Sequence, residues 1–350
     1  MVFSELRART WMKQESLFLE LLEAKDPNND LYEAARYQVQ SGGKRLRAVL
    51  PVVVQGALSQ AWSRSGEADL ERAIWSGLAV EVLHSATLCH DDVMDGDRVR
   101  RDQPTVWVNH GIPQAINAGD LLFFVARDAL SKAPFSDAAK LKALSLLSEK
   151  IAFVIEGQGL ETTLLRHHRA PDPESYARIA EGKTGGLFSL CLVLGALSCE
   201  AEVSILETLD RVGAELGWVF QVQDDLIDLI GEKGRGEKGN DLREGKPSWL
   251  VADACARMNE PLRQRFLERL YKARESKSEE DVAWLIAQIL ELGTVESGMK
   301  ILELRVQNLR AQIREATPAL TPVIDQFLGY FLEPLRASFR KYQKNGWSQS

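Results

Sequence analysis

Proline is missing from residues 52–103, 174–246 and 262–317, three stretches of more than fifty residues each. Proline lacks an amide N–H and clashes with the preceding turn, so long helices run where it is absent. The same stretches carry apolar residues at spacings of three and four rather than two, the period of a helix with one buried face. Leu70, Ile74, Leu78 and Val82 recur every four residues, and Val282, Leu285, Ile286, Ile289 and Leu290 keep that spacing. The chain is expected to be all-α. Breakers cluster at 26–30, between two N-terminal helices, at 41–45, opening a third, at 170–173, and at 231–245, which holds five of the 25 glycines. No fixed repeat and no linker divides the 350 residues, which read as one helical domain over 1–350. Its last helix, after Thr321, is expected to fray into a basic tail of Arg336, Arg340, Lys341 and Lys344.

Composition removes other classes. Apolar residues at 45% and charged residues at 27% supply an ordinary globular core. A net charge of −7 argues against general nucleic-acid binding. The longest nearly apolar run, 187–199, is 13 residues, short of the ~20 that span a bilayer, so no membrane span is expected. The N-terminus, MVFSELRARTW, lacks the apolar core of a secretory signal. Cys89, Cys191, Cys199 and Cys255 are scattered without a CxxC pair, which reads as buried thiols in a reducing cytoplasm.

Two aspartate clusters carry the chemistry. Asp91-Asp92-Val93-Met94-Asp95 and Asp224-Asp225-Leu226-Ile227-Asp228 both read DDxxD, a coincidence that 20 aspartates would rarely produce twice. On a helix Asp91 and Asp95 share a face, as do Asp224 and Asp228, with Gln221 joining the second pair. Apolar neighbours (Leu83 and Leu88, Val219 and Leu226) mean these carboxylates face a cavity or carry a heavy burial cost. Like charges so close repel unless a cation neutralises them, and Mg²⁺ typically joins one or two carboxylates to substrate phosphates. The pattern points to two helices facing each other across Mg²⁺ and a diphosphate. The competing reading is two solvated acidic helix ends.

Basic residues supply the rest of an anion site. Lys44 and Arg47 follow a glycine turn at a helix start, which favours anions. Arg100 and Arg101 follow the first cluster within two helical turns. Lys183 lies in GKTGG and Lys246 in DLREGKPS. Each alone reads as a surface charge; together, beside glycines and paired aspartates, they read as ligands. His84 shares the Asp91 face two turns away, with a core histidine an equal reading. No Ser/His/Asp or Cys/His arrangement is present, and the adjacent His167 and His168 lie on different faces, unlike zinc ligands.

In this order the segments resemble the trans-isoprenyl diphosphate synthases, or polyprenyl synthetases. The matching pieces are GGKRLR at 42–47, EVLHSATLCHDDVMD at 81–95, RVRRDQPTVW at 98–107, NAGDLL at 117–122, EGQGLE at 156–161, KTGGLF at 183–188, FQVQDDLID at 220–228 and DLREGKPSW at 241–249. The resemblance spans roughly 30–250; the rest, 251–350, matches only as generic helix. It implies a single bundle of antiparallel helices around a central cavity, commonly a homodimer. It also implies isopentenyl diphosphate and an allylic diphosphate as substrates, with three Mg²⁺. The allylic C–O bond ionises, the alkene of isopentenyl diphosphate attacks, a proton is lost, and the product is five carbons longer. Residue by residue, Asp91, Asp95 and Asp224 match metal ligands, supported by Asp92, Asp225 and Asp228. Arg100, Lys183 and Lys246 match allylic diphosphate ligands. Lys44, Arg47, His84 and Arg101 match the isopentenyl diphosphate site. Thr184 and Gln221 match groups beside the developing cation. Three positions depart from the pattern: Asp102 where glycine is usual, Glu161 where aspartate is usual, and Trp107 where histidine is common. Asp102 is expected to weaken Arg101 by pairing with it.

Product length is read from the helix before Asp91. A turn rises about 5.4 Å, close to one isoprene unit, so Thr87, Ala86 and Leu83 are expected to line the growing chain. None is aromatic, which leaves the path open beyond fifteen carbons. Leu83 is a medium-sized obstacle one turn deeper, Phe153 on the facing helix is the alternative floor, and geranylgeranyl diphosphate or a longer chain is the expected product. The alternatives are a farnesyl diphosphate synthase, a class I terpene cyclase, and a silent partner subunit. Lys44, Arg47 and Arg101 argue against the cyclase, and two intact aspartate clusters against the silent subunit.

Overall fold

The computed structural model describes residues 3–23, 29–59, 70–231 and 238–345. Most of the 26–30 loop and residues 232–237 of the 231–245 loop lie outside the described residues. In chain order the helices are α1 (Phe3–Leu21), α2 (Leu31–Gln40), α3 (Leu46–Leu58), α4 (Glu71–Asp95), α5 (Val106–His110), α6 (Ile112–Lys132), α7 (Asp137–Arg166) and α8 (Pro173–Ala180). They continue as α9 (Gly186–Leu197), α10 (Val203–Ile230), α11 (Asn240–Glu244), α12 (Trp249–Arg257), α13 (Glu260–Leu270), α14 (Glu279–Glu291), α15 (Thr294–Ala316) and α16 (Thr321–Asn345). The all-α expectation holds. Among the described residues the helices are accompanied by a π-helical turn, Glu181–Gly185, by short 3₁₀ turns, and by a hairpin of β1 (Val99–Arg100) with β2 (Gln103–Pro104).

Two compact units group the residues: Met1–Lys150 with Leu187–Asp210, and Ile151–Gly186 with Arg211–Ser350. Their boundaries fall within α7 and α10 or beside the π turn, not at linkers. In the first unit α4 packs on α3 and α6. Its every-fourth residues Ile74, Leu78 and Val82 are buried, as the spacing requires. The Gln14 amide ties α1 to both neighbours, donating to the Ala48 carbonyl at 2.8 Å and the Ile74 carbonyl at 3.0 Å.

In the second unit, α8 opens on a capping box in which the Asp172 side chain accepts from the Ser175 amide at 2.7 Å. Such caps satisfy the unbonded amides of a first turn. Ser278 and Asp281 do the same for α14. α16 does not fray as expected. It buries Ile324, Phe327, Leu328, Phe331, Leu332 and Leu335, and Arg336 grips Glu303 of α15 at 2.9 and 3.1 Å. The run Pro173–Leu197 is longer than the apolar stretch read from sequence. By length and composition alone it could cross a membrane, but 89% of its most apolar window is buried inside the protein, as in a core helix.

Candidate active site

The first aspartate cluster ends α4. Asp91 is half-buried and Asp95 exposed, one turn apart on one side of the helix. Asp92 turns inward, is 1% exposed, and accepts from Arg100 Nε at 2.5 Å. Burial pushes its carboxyl up to about 6, with Arg100 pulling it down and Asp97 and Asp91 pushing it further up. Arg100, expected as a substrate ligand, is therefore anchored on the cluster; its Nη2 also lies 3.4 Å from Asp97.

α4 stops at Gly96, in the left-handed region at φ 69°. Arg100 and Arg101 thus stand on the hairpin rather than on a helix. Arg101 and Asp102 form its turn, both with positive φ, 54° and 62°. Two-residue hairpin turns of this kind favour glycine at the second position. Aspartate tolerates the conformation better than most residues, which accounts for Asp102. Arg101 does not pair with Asp102; its guanidinium donates to the Gly42 carbonyl. A side chain at Gly43, whose φ is 118°, would meet Arg101 Cζ at 2.6 Å. Glycine there lets the 42–45 loop close on the hairpin. Trp107 donates its ring N–H to the Asp97 carbonyl at 2.8 Å, bracing the loop between α4 and the hairpin.

Within GGKRLR the arginines divide. Arg45 is buried against Glu81 at 2.9 Å and over the Trp11 ring at 3.9 Å, a structural assignment. Arg47 points its Nη1 at His84 Nε2, 3.4 Å away, and lies 5.0 Å over the Phe188 ring. Burial, then Arg47, Arg101, Arg100 and Arg45, push the His84 imidazole well below its usual range, so it is neutral at pH 7. Arg47 Nε and His84 Nδ1 are both buried without a partner. Buried polar atoms are normally satisfied, and two unpartnered nitrogens among arginines suit an anion. Lys44 is exposed on the loop beside them.

The second site rests on a close approach of two backbones. A Cβ at Gly217 of α10 would lie 2.1 Å from the amide nitrogen of Gly185. Only glycine admits the π turn so near, and π turns often mark functional sites. The contact sets Thr184 beside Gln221, one turn beyond Gly217; the Thr184 hydroxyl donates to Gln221 Oε1 at 3.2 Å. Gln221 Nε2 in turn donates to Asp225 at 3.0 Å.

Asp225 is buried, and also accepts from the Tyr176 hydroxyl at 2.8 Å and the Trp249 amide at 2.7 Å. Burial raises its carboxyl to about 6 against those donors. Asp224, its neighbour, is exposed. Asp228 is 7% exposed and accepts from the Asp241 amide at 3.1 Å. Lys183 pairs with Glu161, so the departure at 161 supplies this lysine's partner. Lys246 pairs with Glu244 at 2.7 Å.

The four chain-length residues separate. Leu83 and Ala86 are 1% and 0% exposed. Ala86 lies one turn before His90, whose ring meets α6 at the Ile116 carbonyl (3.2 Å) and Asp120 (3.5 Å). Thr87 is half-buried on the Asp91 side. Phe153, on α7 in the second unit, has its carbonyl 3.0 Å from where a Gly182 side chain would begin. Sequence reasoning missed Glu81, Tyr176 and Asp97. Glu81 had a signal, a charge inside the apolar run AVEVL; Tyr176 had none short of knowing that it meets Asp225.

Comparison with known proteins bears on the family and the fold. The polyprenyl synthetase family model matches residues 28–289, past the 250 at which the motifs end. A short chain isoprenyl diphosphate synthase of Methanocaldococcus jannaschii is 35% identical over 247 residues, 70% of this chain and 72% of that protein. A geranylgeranyl pyrophosphate synthase of Geoglobus acetivorans is 32% identical over 295 residues, 83% of this chain and 87% of that one. The crystal structure of a geranylgeranyl pyrophosphate synthetase from Pyrococcus horikoshii superposes with a TM-score of 0.79 at 29% identity, covering 92% of this chain and 98% of that one.

Proposed function

The chain belongs to the polyprenyl synthetase family, and on that premise we propose that it joins an allylic diphosphate to isopentenyl diphosphate, head to tail, as a single helical domain. It is an enzyme of the trans-isoprenyl diphosphate synthase type, a prenyltransferase. The observation that supports the reading of its substrates is the pair of buried, unpartnered nitrogens on Arg47 and His84, in the field of Arg101, proposed as a diphosphate site separate from one at Lys183, Lys246 and Asp224. A cyclase acting on one diphosphate has no use for the first.

Mg²⁺ fits the donors present. Asp91 is half-buried and Asp95 and Asp224 are exposed, and all three carry the hard carboxylate oxygen that Mg²⁺ takes; Asp92 and Asp225 are buried against Arg100, Tyr176 and the Trp249 amide. Mg²⁺ typically joins one or two carboxylates to substrate phosphates. When bound, Mg²⁺ supplies a Lewis acid to the leaving diphosphate.

Lys183, Lys246 and Arg100 would bind the allylic diphosphate and stabilise the charge it gains as the C–O bond ionises. Lys44, Arg47, Arg101 and neutral His84 would hold isopentenyl diphosphate. Thr184 and Gln221 would present oxygen lone pairs to the allylic cation, their orientation fixed by their mutual bond and by Asp225. Apolar walls would keep water from that cation.

The proposed product is geranylgeranyl diphosphate or longer, supported by an α4 face with Thr87 and no aromatic one turn before Asp91. A homodimer is proposed on the exposed Ile112, Ile116 and Phe124 of α6. The free cysteines, three of them buried, suit the reducing cytoplasm. The test is purified protein with Mg²⁺, isopentenyl diphosphate and allylic primers of increasing length, with products read by mass spectrometry. Chains of twenty carbons or more are expected. No condensation overturns the activity, and a stop at fifteen carbons overturns the open path.

A further inference from the structure

Lys277 stands outside every motif, between a 3₁₀ turn, Arg274–Ser276, and α14. Its half-buried ammonium donates to three main-chain carbonyls: Leu242 at 2.6 Å, Arg243 at 2.9 Å and Leu270 at 2.6 Å. An ammonium has three donors, and all three are used on backbone. Leu242 and Arg243 lie near the end of α11, and Leu270 is the last residue of α13. The last carbonyls of a helix lack the usual amide one turn on; that of Leu242 also accepts from the capping Gly245 amide at 3.2 Å. α11 closes at Gly245 with φ 76°, where a Cβ would meet the Leu270 carbonyl oxygen at 2.9 Å. One lysine therefore clamps two helix ends at a tight backbone contact.

What the clamp holds is part of the site. The Asp241 amide donates to the Asp228 carboxylate at 3.1 Å, and the Gly239 amide to the Asp228 carbonyl at 3.0 Å. At the other end of α11 the Lys246 amide donates to the Asp241 carbonyl at 2.8 Å, and its ammonium meets Glu244 at 2.7 Å. Arg274, three residues before Lys277, reaches the same Glu244 at 3.2 Å. The segment 239–248 thus connects the second aspartate cluster to Lys246.

We propose that Lys277 is a positioning residue for the allylic diphosphate site: it holds the 239–248 segment so that Lys246 and Asp228 keep their places, and it does not touch substrate. This rests on the function proposed above. In Lys277→Met, the ammonium's bonds to three carbonyls are lost, Leu242 keeping the Gly245 amide, while the side chain keeps its bulk. A displacement of about 1 Å at a binding group can cost on the order of a hundredfold. The expected fall is ten- to a hundredfold in kcat/KM for the allylic substrate, by the same reasoning, with the KM for isopentenyl diphosphate within about twofold of wild type. Lys246→Ala should add little in the Lys277→Met background, because coupled residues are not additive.

Hydrogen–deuterium exchange supplies a readout independent of turnover. Faster exchange confined to 239–248, with α4 and the hairpin unchanged, is the expected pattern. Wild-type kinetics in Lys277→Met overturns the proposal. So does an equal loss for both substrates with faster exchange throughout, the mark of general destabilisation. If Lys277→Met does not fold, Gly245→Ala strains the same contact and is read by the same two measurements. If the wild type condenses nothing, the functional reading fails on its own. Exchange then decides the clamp: faster exchange at 239–248 supports it and unchanged exchange refutes it.

Discussion

Replacing Gly217 with alanine separates stability from catalysis. The new Cβ would lie 2.1 Å from the Gly185 nitrogen, 2.2 Å from its Cα and 2.7 Å from the Thr184 carbonyl carbon. Ordinary contact begins near 3.4 Å, so the π turn and α10 must part by about 1.3 Å. Alanine favours the helix by about 1 kcal/mol over glycine, while overpacking typically costs about 1–3 kcal/mol. The net loss of stability is then small, about 0–2 kcal/mol by those figures. The displacement falls on Thr184, Lys183 and the 3.2 Å contact to Gln221. At about 1 Å of misplacement, on the order of a hundredfold is expected off kcat/KM for the allylic diphosphate. The KM for isopentenyl diphosphate should hold, because its proposed ligands all belong to the other unit. Steady-state kinetics with each substrate varied, beside a denaturant titration, makes the test. A folded Gly217→Ala protein with wild-type allylic kinetics would refute the claim that this backbone contact sets the site.

Three further outcomes follow from particular contacts. Tyr176→Phe removes one of three donors to buried Asp225. A hydrogen bond to a charged group is worth about 1.5–3 kcal/mol, so a melting point lower by several degrees is expected; an unchanged one contradicts the assignment. His84 is held well below its usual value by burial and Arg47, so the unfolded chain binds the extra proton below about pH 6.5. The wild type should therefore lose stability relative to His84→Gln as pH falls from 7 to 5, and parallel melting curves would refute this. Thr87→Phe, on the half-buried Asp91 side of α4, should shorten the product, whereas Ala86→Phe, at a fully buried position, should chiefly destabilise. Product analysis and melting of both variants separate the two effects.

Spacing made α4 and α14 legible, because Ile74, Leu78 and Val82, or Val282, Leu285 and Ile289, can be buried together only on a helix. It also placed Asp91 with Asp95 and identified the basic segments. Spacing did not reveal that Arg45 and Arg47, two residues apart, divide into a core ion pair and a side chain turned to His84, since that depends on Glu81 and His84 of another helix. The hairpin was hidden because its turn residues, Arg101 and Asp102, take positive φ without glycine. The π turn was hidden because it depends on Gly217, more than thirty residues downstream. Tyr176 reaches Asp225 across 49 positions, and Lys277 acts through backbone carbonyls, which leave no trace in side-chain patterns.

The most direct test of the central claim is incorporation of labelled isopentenyl diphosphate into allylic acceptors by wild type, Asp91→Ala and Asp224→Ala, with Mg²⁺ and after chelation. The wild type should incorporate label only with the metal. Each variant, with unchanged helix content, should fall by on the order of a thousandfold, the scale for losing a group that stabilises developing charge. Near-normal incorporation by both variants would contradict the two-cluster mechanism.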